Sequence, residues 1–248
     1  MEIRISRTPE QLGQSAARHA AYLLNQAIAE RGEARLLLST GASQFEALRA
    51  LVKENVQWDK VTMFHLDEYV GLPETHIASF RKYLKERFIS LVPLKAVWLV
   101  DGTREGIARI TEELRKAPID VGLIGIGENS HIAFNDPPAD LETKESYIIV
   151  DLDERCKQQQ CGEGWFASVD EVPKQAVSMT VYQILQCRTI LSIVPHAVKA
   201  EAVYKALYAP QDAWTPASQL RTHPDWTLYL DRYSAEKILT AGMQWPEA

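Results

Sequence analysis

The chain has 248 residues, 46% hydrophobic and 24% charged, with a formal net charge of −6. That usage excludes wholesale disorder and gives enough apolar residues for one large α/β unit. The acidic balance excludes the broad basic surface that a nucleic-acid partner needs, although a few cations and helix N-termini can still hold one phosphate.

Ile3 and Ile5 alternate with Glu2 and Arg4, which predicts a short first strand. Leu12, Ala16, Ala20, Leu24 and Ile28 then recur every four residues, so residues 9–31 read as a helix with one buried stripe. Residues 34–38 read as a strand, followed by a helix with Phe45, Leu48, Leu51 and Val52 on one face. The alternation continues with a strand at 61–66, a helix at 77–91 beginning near Ser79, and a strand at 96–100. A helix at 103–116, capped by Thr103, leads into a continuous apolar strand at 119–126. Strands at 188–194 and 226–230 flank a helix at 196–208. Apolar strands alternating with amphipathic helices predict an open, mostly parallel α/β sheet of Rossmann-like type, with helices on both faces. No repeat, linker or low-complexity stretch interrupts it, so residues 1–248 read as one domain.

The start of the chain lacks an apolar signal region and no apolar run reaches membrane-spanning length, so a cytoplasmic protein without a membrane partner is expected. Cys156, Cys161 and Cys187 are odd in number and lack zinc or redox spacing, and read as reduced thiols. Nothing in the sequence specifies an oligomeric state.

Ligands of open parallel sheets bind beyond the carboxyl ends of the strands, so the residues after each strand matter most. The first such loop, Ser39-Thr40-Gly41-Ala42-Ser43, combines hydroxyls, a glycine that permits close backbone approach, and the start of a helix. It suits a phosphate but is neither a Walker loop nor a dinucleotide fingerprint, and Ser43 as a plain N-cap is the competing reading. In the second, Asp67 and Glu68 end an apolar strand, where either carboxylate is placed for general-base work. The third runs from Gly125 to Pro138 and carries His131, with Glu128 and Asp136 both near enough in sequence to orient its ring. The fourth is Val194-Pro195-His196-Ala197-Val198-Lys199, where Lys199 sits in a helix's first turn against the dipole, as a phosphate ligand would.

These segments together resemble the glucosamine-6-phosphate deaminase family, within the larger group that also holds 6-phosphogluconolactonases. The resemblance rests on Phe64-His65-Leu66-Asp67-Glu68-Tyr69-Val70-Gly71-Leu72-Pro73 and on Gly125-Ile126-Gly127-Glu128-Asn129-Ser130-His131-Ile132-Ala133-Phe134-Asn135. Residues 172–180 and Lys199 add weaker support. The lactonase branch lacks the Ala-Phe-Asn continuation and the Asp-Glu-Tyr-Val-Gly-Leu-Pro segment, so the deaminase branch is the nearer one.

The resemblance implies an amino-sugar phosphate as the small-molecule substrate, with no metal and no cofactor. It implies that Asp67 moves a proton from C2 to C1 and that His131, oriented by acidic neighbours, opens the sugar ring. Ser39, Thr40, Gly41, Ala42 and Ser43, with Lys199, are then expected to hold the phosphate. Some positions depart from the family pattern. Asn129 stands where aspartate is common, leaving Asp136 to carry the charge beside His131, and Ser130 stands where glycine is usual. A substrate-binding arginine common in the family near residues 153–166 has no direct match, Arg155 or Lys157 being the candidates. Residues 139–149 hold one basic residue, Lys144, so activation by an acetylated amino-sugar phosphate is not expected.

Overall fold

The computed structural model describes residues 1–162 and 164–242; the side chains of Arg155 and Gln159 are not among the described atoms. Strand β1 (Glu2–Ser6) leads to helix α1 (Pro9–Arg31). Thr8 caps α1 by accepting the Gln11 N–H, Pro9 begins it, and Gly32 ends it at φ 82°. The stripe from Leu12 to Ile28 is buried throughout, as its spacing predicts. There follow β2 (Ala34–Leu38), α2 (Phe45–Leu51), β3 (Val61–His65), β4 (Asp67–Tyr69), α3 (Phe80–Arg87), β5 (Ala96–Trp98), α4 (Arg104–Leu114) and β6 (Val121–Ile124). The second half holds β7 (Tyr147–Asp151), α5 (Glu154–Gly162), β8 (Gln175–Met179), α6 (Val181–Ile184), β9 (Thr189–Val194), α7 (Ala200–Tyr208), β10 (Trp226–Asp231) and α8 (Glu236–Thr240).

Seven strands form one parallel sheet in the order β1-β10-β9-β6-β2-β3-β5. Side chains alternate between its faces. Leu36 and Leu38 of β2 pack with α1 and α2, whereas Leu37 joins residues of α4, α6, α7 and α8. The sheet is therefore covered on both sides, and its central strands are apolar without interruption for that reason. After β2 the chain winds outward through β3 and β5, then returns as β6 on the other side of β2. The loops after β2 and β6 diverge at this switch point and open a crevice at the carboxyl edge.

A second, antiparallel sheet in the order β4-β8-β7 stands beyond that edge. It corrects the reading of Asp67 and Glu68 as loop residues: they belong to β4, whose Asp67 pairs in register with Ser178 and Glu68 with Val177. Two helices are shorter than their periodicity predicts. The one beginning at Ser79 gives way after Arg87 to a 3₁₀ turn at Ile89–Leu91, and the last long one starts only at Ala200, after a 3₁₀ turn at Ala197–Lys199. Among the described residues no helix is long and apolar enough to cross a membrane.

Gly13 sets the approach of α1 to α2. A Cβ there would lie 2.6 Å from the Glu46 carbonyl carbon and 2.8 Å from the Ala47 nitrogen, both backbone atoms that cannot swing away. Gly13→Ala should therefore lower Tm by roughly 3–8 °C, the order expected for overpacking in a chain of this length. A thermal melt showing an unchanged or raised Tm would contradict this contact.

Candidate active site

The crevice is a cleft of about 650 Å³. Its lining includes Ser39, Thr40, Gly41, Ala42 and Ser43 after β2, Asp67 of β4, Gly125–His131 residues after β6, and His196 and Lys199 after β9. The four loops singled out by their place after strands thus converge on one space.

In the loop after β2, Gly41 has φ 97°, a conformation that favours glycine. Residues Ala42–Gln44 form a 3₁₀ turn without a side-chain cap, so the Ser43 hydroxyl is not the N-cap. Ser39 Oγ is buried and has no hydrogen-bond partner among the described residues. The loop is held from behind: Tyr83 donates to the Gly41 carbonyl at 2.9 Å, and Gln44 Nε2 donates to the Ile193 carbonyl at 3.1 Å. Uncapped N–H groups and hydroxyls of this loop, with the buried amine of Lys199 in the same lining, make the cleft suited to an anion.

Strand alternation separates the two carboxylates of β4. Asp67 faces the cleft, is nearly buried, and leaves Oδ1 without a hydrogen bond. Burial, with the Glu68 charge beside it, pushes its carboxyl up to about 8. Glu68 points the other way and does not line the cleft, which corrects its reading as a candidate base. Its carboxylate is fully buried and accepts from the N–H groups of Tyr69, Phe80 and Arg81 and from the Ser79 hydroxyl. The Arg81 guanidinium completes the set at 3.2 Å.

In the loop after β6, His131 Nδ1 lies 3.0 Å from Asp136 Oδ1. Asp136, rather than Glu128, is therefore the carboxylate that backs the ring. Burial pushes the Asp136 carboxyl up, but His131, Asn129 and the Cys156 thiol together hold it below its ordinary value. Asn129 spans the turn instead of meeting the imidazole: its Oδ1 accepts the His131 backbone N–H at 3.1 Å and its Nδ2 donates to Asp136 at 2.9 Å. Ser130, where glycine was expected, has φ 71° and a buried hydroxyl with no partner. Gly127 is required sterically, because a Cβ there would overlap the His131 ring.

Several lining residues were not legible from sequence. His196 adopts φ 79°, held by its N–H to Asp231 Oδ2 at 2.8 Å. Gln158, Gln160 and Trp165 reach the cleft from α5 and the turn after it. Lys157, one candidate for the missing arginine, pairs with Glu154 at 2.9 Å and does not line the cleft. The side chain of Arg155, the other candidate, lies outside the described residues.

A parallel sheet whose carboxyl edge carries a raised carboxyl, an Asp-backed histidine and an anion-accepting loop defines an α/β enzyme site. The chain belongs to the glucosamine-6-phosphate isomerases/6-phosphogluconolactonase family, whose profile matches residues 7–229. A glucosamine-6-phosphate deaminase of Streptococcus pneumoniae is 33% identical over 206 residues, covering 81% of this chain and 85% of that protein. One from Streptococcus thermophilus is 33% identical over 213 residues, covering 84% and 89%. A solved structure of a monomeric glucosamine-6-phosphate deaminase superposes with a TM-score of 0.85 at 31% identity, covering 95% of this chain and 99% of that one. The 6-phosphogluconolactonase of Shewanella baltica shares the fold, with a TM-score of 0.75 at 18% identity over 93% and 97% of the two chains.

Two predictions follow from the geometry. Gly127→Ala should displace the His131 ring by about an ångström and lower kcat by on the order of a hundredfold, while far-UV circular dichroism stays native. An unchanged kcat would show that the ring has another place to go. The second concerns Asp67, whose folded-state value of about 8 lies above the ordinary carboxyl value. The folded protein then holds a proton that the unfolded chain releases, and stability falls as pH rises from about 4 to about 8. Asp67→Asn removes that loss. Its Tm advantage over the unmodified protein should be small at pH 5, grow up to about pH 8 and stay level above. Melts at pH 5, 7 and 9 with a constant difference would sink this reading.

Proposed function

We propose that the enzyme converts glucosamine 6-phosphate and water to fructose 6-phosphate and ammonia. The observation that carries the reading is the make-up of the cleft: Asp67 and His131 line the same space as the anion-accepting residues Ser39–Ser43 and Lys199. The relatives named as glucosamine-6-phosphate deaminases support the same substrate.

The phosphate sits at residues 39–43 and Lys199, and anchors the sugar so that its C1 and C2 face the two reactive groups. His131, with Asp136 behind it, moves a proton to the ring oxygen and opens the ring to the aldehyde. Asp67 in its ionised form takes the C2 proton; the C2–H electron pair becomes the C1=C2 bond, the C1=O π pair moves to O1, and O1 takes up a proton to give the enolamine. The same carboxyl returns the C2 proton to C1 as the nitrogen lone pair closes the C2=N bond, and loss of a proton from nitrogen leaves the imine at C2. Water adds to the imine carbon, the C–N bond breaks, and ammonia leaves. A carboxyl near 8 is a far stronger base than an exposed aspartate, which suits removal of a weakly acidic C–H proton. Chemistry of this kind belongs to amino-sugar breakdown, and the proposal extends to a cytoplasmic location.

The test is ammonia release from glucosamine 6-phosphate by the purified protein and by Asp67→Asn. Ammonia from the first, with a loss of at least a thousandfold in the second, is expected. The kcat/KM of the unmodified enzyme should rise as pH climbs toward about 8, because only the ionised carboxyl is a base. Lactone hydrolysis without ammonia would assign the cleft to the other branch of the family. Thermal protection by the sugar phosphate without turnover would make the protein a sensor.

A further inference from the structure

Glu128 lines the cleft on the same turn as His131. It is exposed, and among the described residues it makes no hydrogen bond or ion pair. Its neighbour Asn129 is committed to Asp136 and to the His131 N–H, so Glu128 is the acidic side chain that this turn leaves for a ligand. Asp136 lies behind the imidazole and is likewise engaged.

A carboxylate on this wall is unfavourable for the ligand the rest of the cleft is built to hold. A phosphate group brings up to about two negative charges, and a like charge nearby repels it unless a cation stands between them. In the function proposed above Lys199 and the loop after β2 hold the phosphate, whereas Glu128 lines the cleft from the turn that carries His131, the ring-opening group. The cation that an amino sugar carries is its ammonium at C2, the carbon that faces Asp67 in the reaction proposed above. A 2-hydroxy sugar phosphate brings no such charge and would meet only the repulsion.

We propose that Glu128 is a specificity-determining residue that recognises the protonated C2 amine and selects amino-sugar phosphates against their 2-hydroxy counterparts. This rests on the function proposed above for the geometry of the bound sugar. A second consequence concerns Asp67: an ammonium held by Glu128 also stands beside the Asp67 carboxyl and favours its ionised, basic form once substrate is bound.

The experiment compares two open-chain, unreactive probes by calorimetry, 2-amino-2-deoxyglucitol 6-phosphate and glucitol 6-phosphate, on the unmodified protein and on Glu128→Gln. The variant keeps shape and removes only charge. The preference for the amino probe should fall about five- to tenfold in Glu128→Gln, through weaker binding of the amino probe and equal or tighter binding of the hydroxy probe. With glucosamine 6-phosphate, KM should rise by a similar factor. An unchanged preference overturns the proposal, as do equal losses for both probes or failure of the unmodified protein to prefer the amino probe. Because the probes are not turned over, their ratio is read even if no ammonia is released, so failure of the reaction and failure of Glu128 are separate results.

Discussion

A carboxylate with no access to water must be surrounded by donors, and Glu68 is the residue that imposes this constraint on the reactive edge of the sheet. Its oxygens accept from the start of α3 and from the backbone of β4, with the Arg81 guanidinium alongside. The bond set ties α3 to β4 and leaves β4 one way to lie. Because side chains alternate along a strand, orienting Glu68 inward orients Asp67 toward the cleft. The structural carboxylate and the cleft-facing one are thus consecutive residues with opposite surroundings. Tyr69, next on the strand, seals the arrangement by packing among Phe80, Phe134 and Phe166.

The turn that carries His131 is held with comparable redundancy. Asn135 Nδ2 donates to the carbonyls of Ile132 and Met179 at 2.7 and 2.8 Å, and Ser178 Oγ accepts the Phe134 N–H at 3.0 Å. The small antiparallel sheet therefore fixes two of the side chains lining the cleft, Asp67 through β4 and His131 through β8. Ser130 is kept in the left-handed region by its N–H to the Gly127 carbonyl and by its carbonyl accepting from Ala217. Holding a side-chain-bearing residue there costs on the order of 1–2 kcal/mol, which these bonds offset. Gly127 yields its own side-chain space to the imidazole. The result is a ring with a fixed position and an ionised partner behind it.

The electrostatics of the cleft follow from this framework. Burial keeps Asp67 largely protonated near neutral pH, so the empty site presents less negative charge to a phosphate than its residue types suggest. Asp136 is masked by the ring in front of it and by Asn129. Glu128 is the acidic group of this lining without such masking, on the same turn as His131.

The sequence by itself determined the parallel α/β sheet, its covering helices, and the segments after strands that carry Asp67, His131 and Lys199. Those are properties of apolar periodicity and of position after a strand, both local in the chain. The segments Tyr147–Asp151 and Gln175–Met179 carried a weaker signal, since each is only five residues long and its partner strand lies far away in the chain. Tertiary structure alone decided which member of the Asp67–Glu68 pair faces the cleft, because facing depends on the β4–β8 register. It also decided that Asp136 rather than Glu128 backs the histidine, that Asn129 spans the turn, and that α5 contributes Gln158 and Gln160. Each of these depends on directions and distances between segments far apart in sequence, which spacing along the chain does not encode.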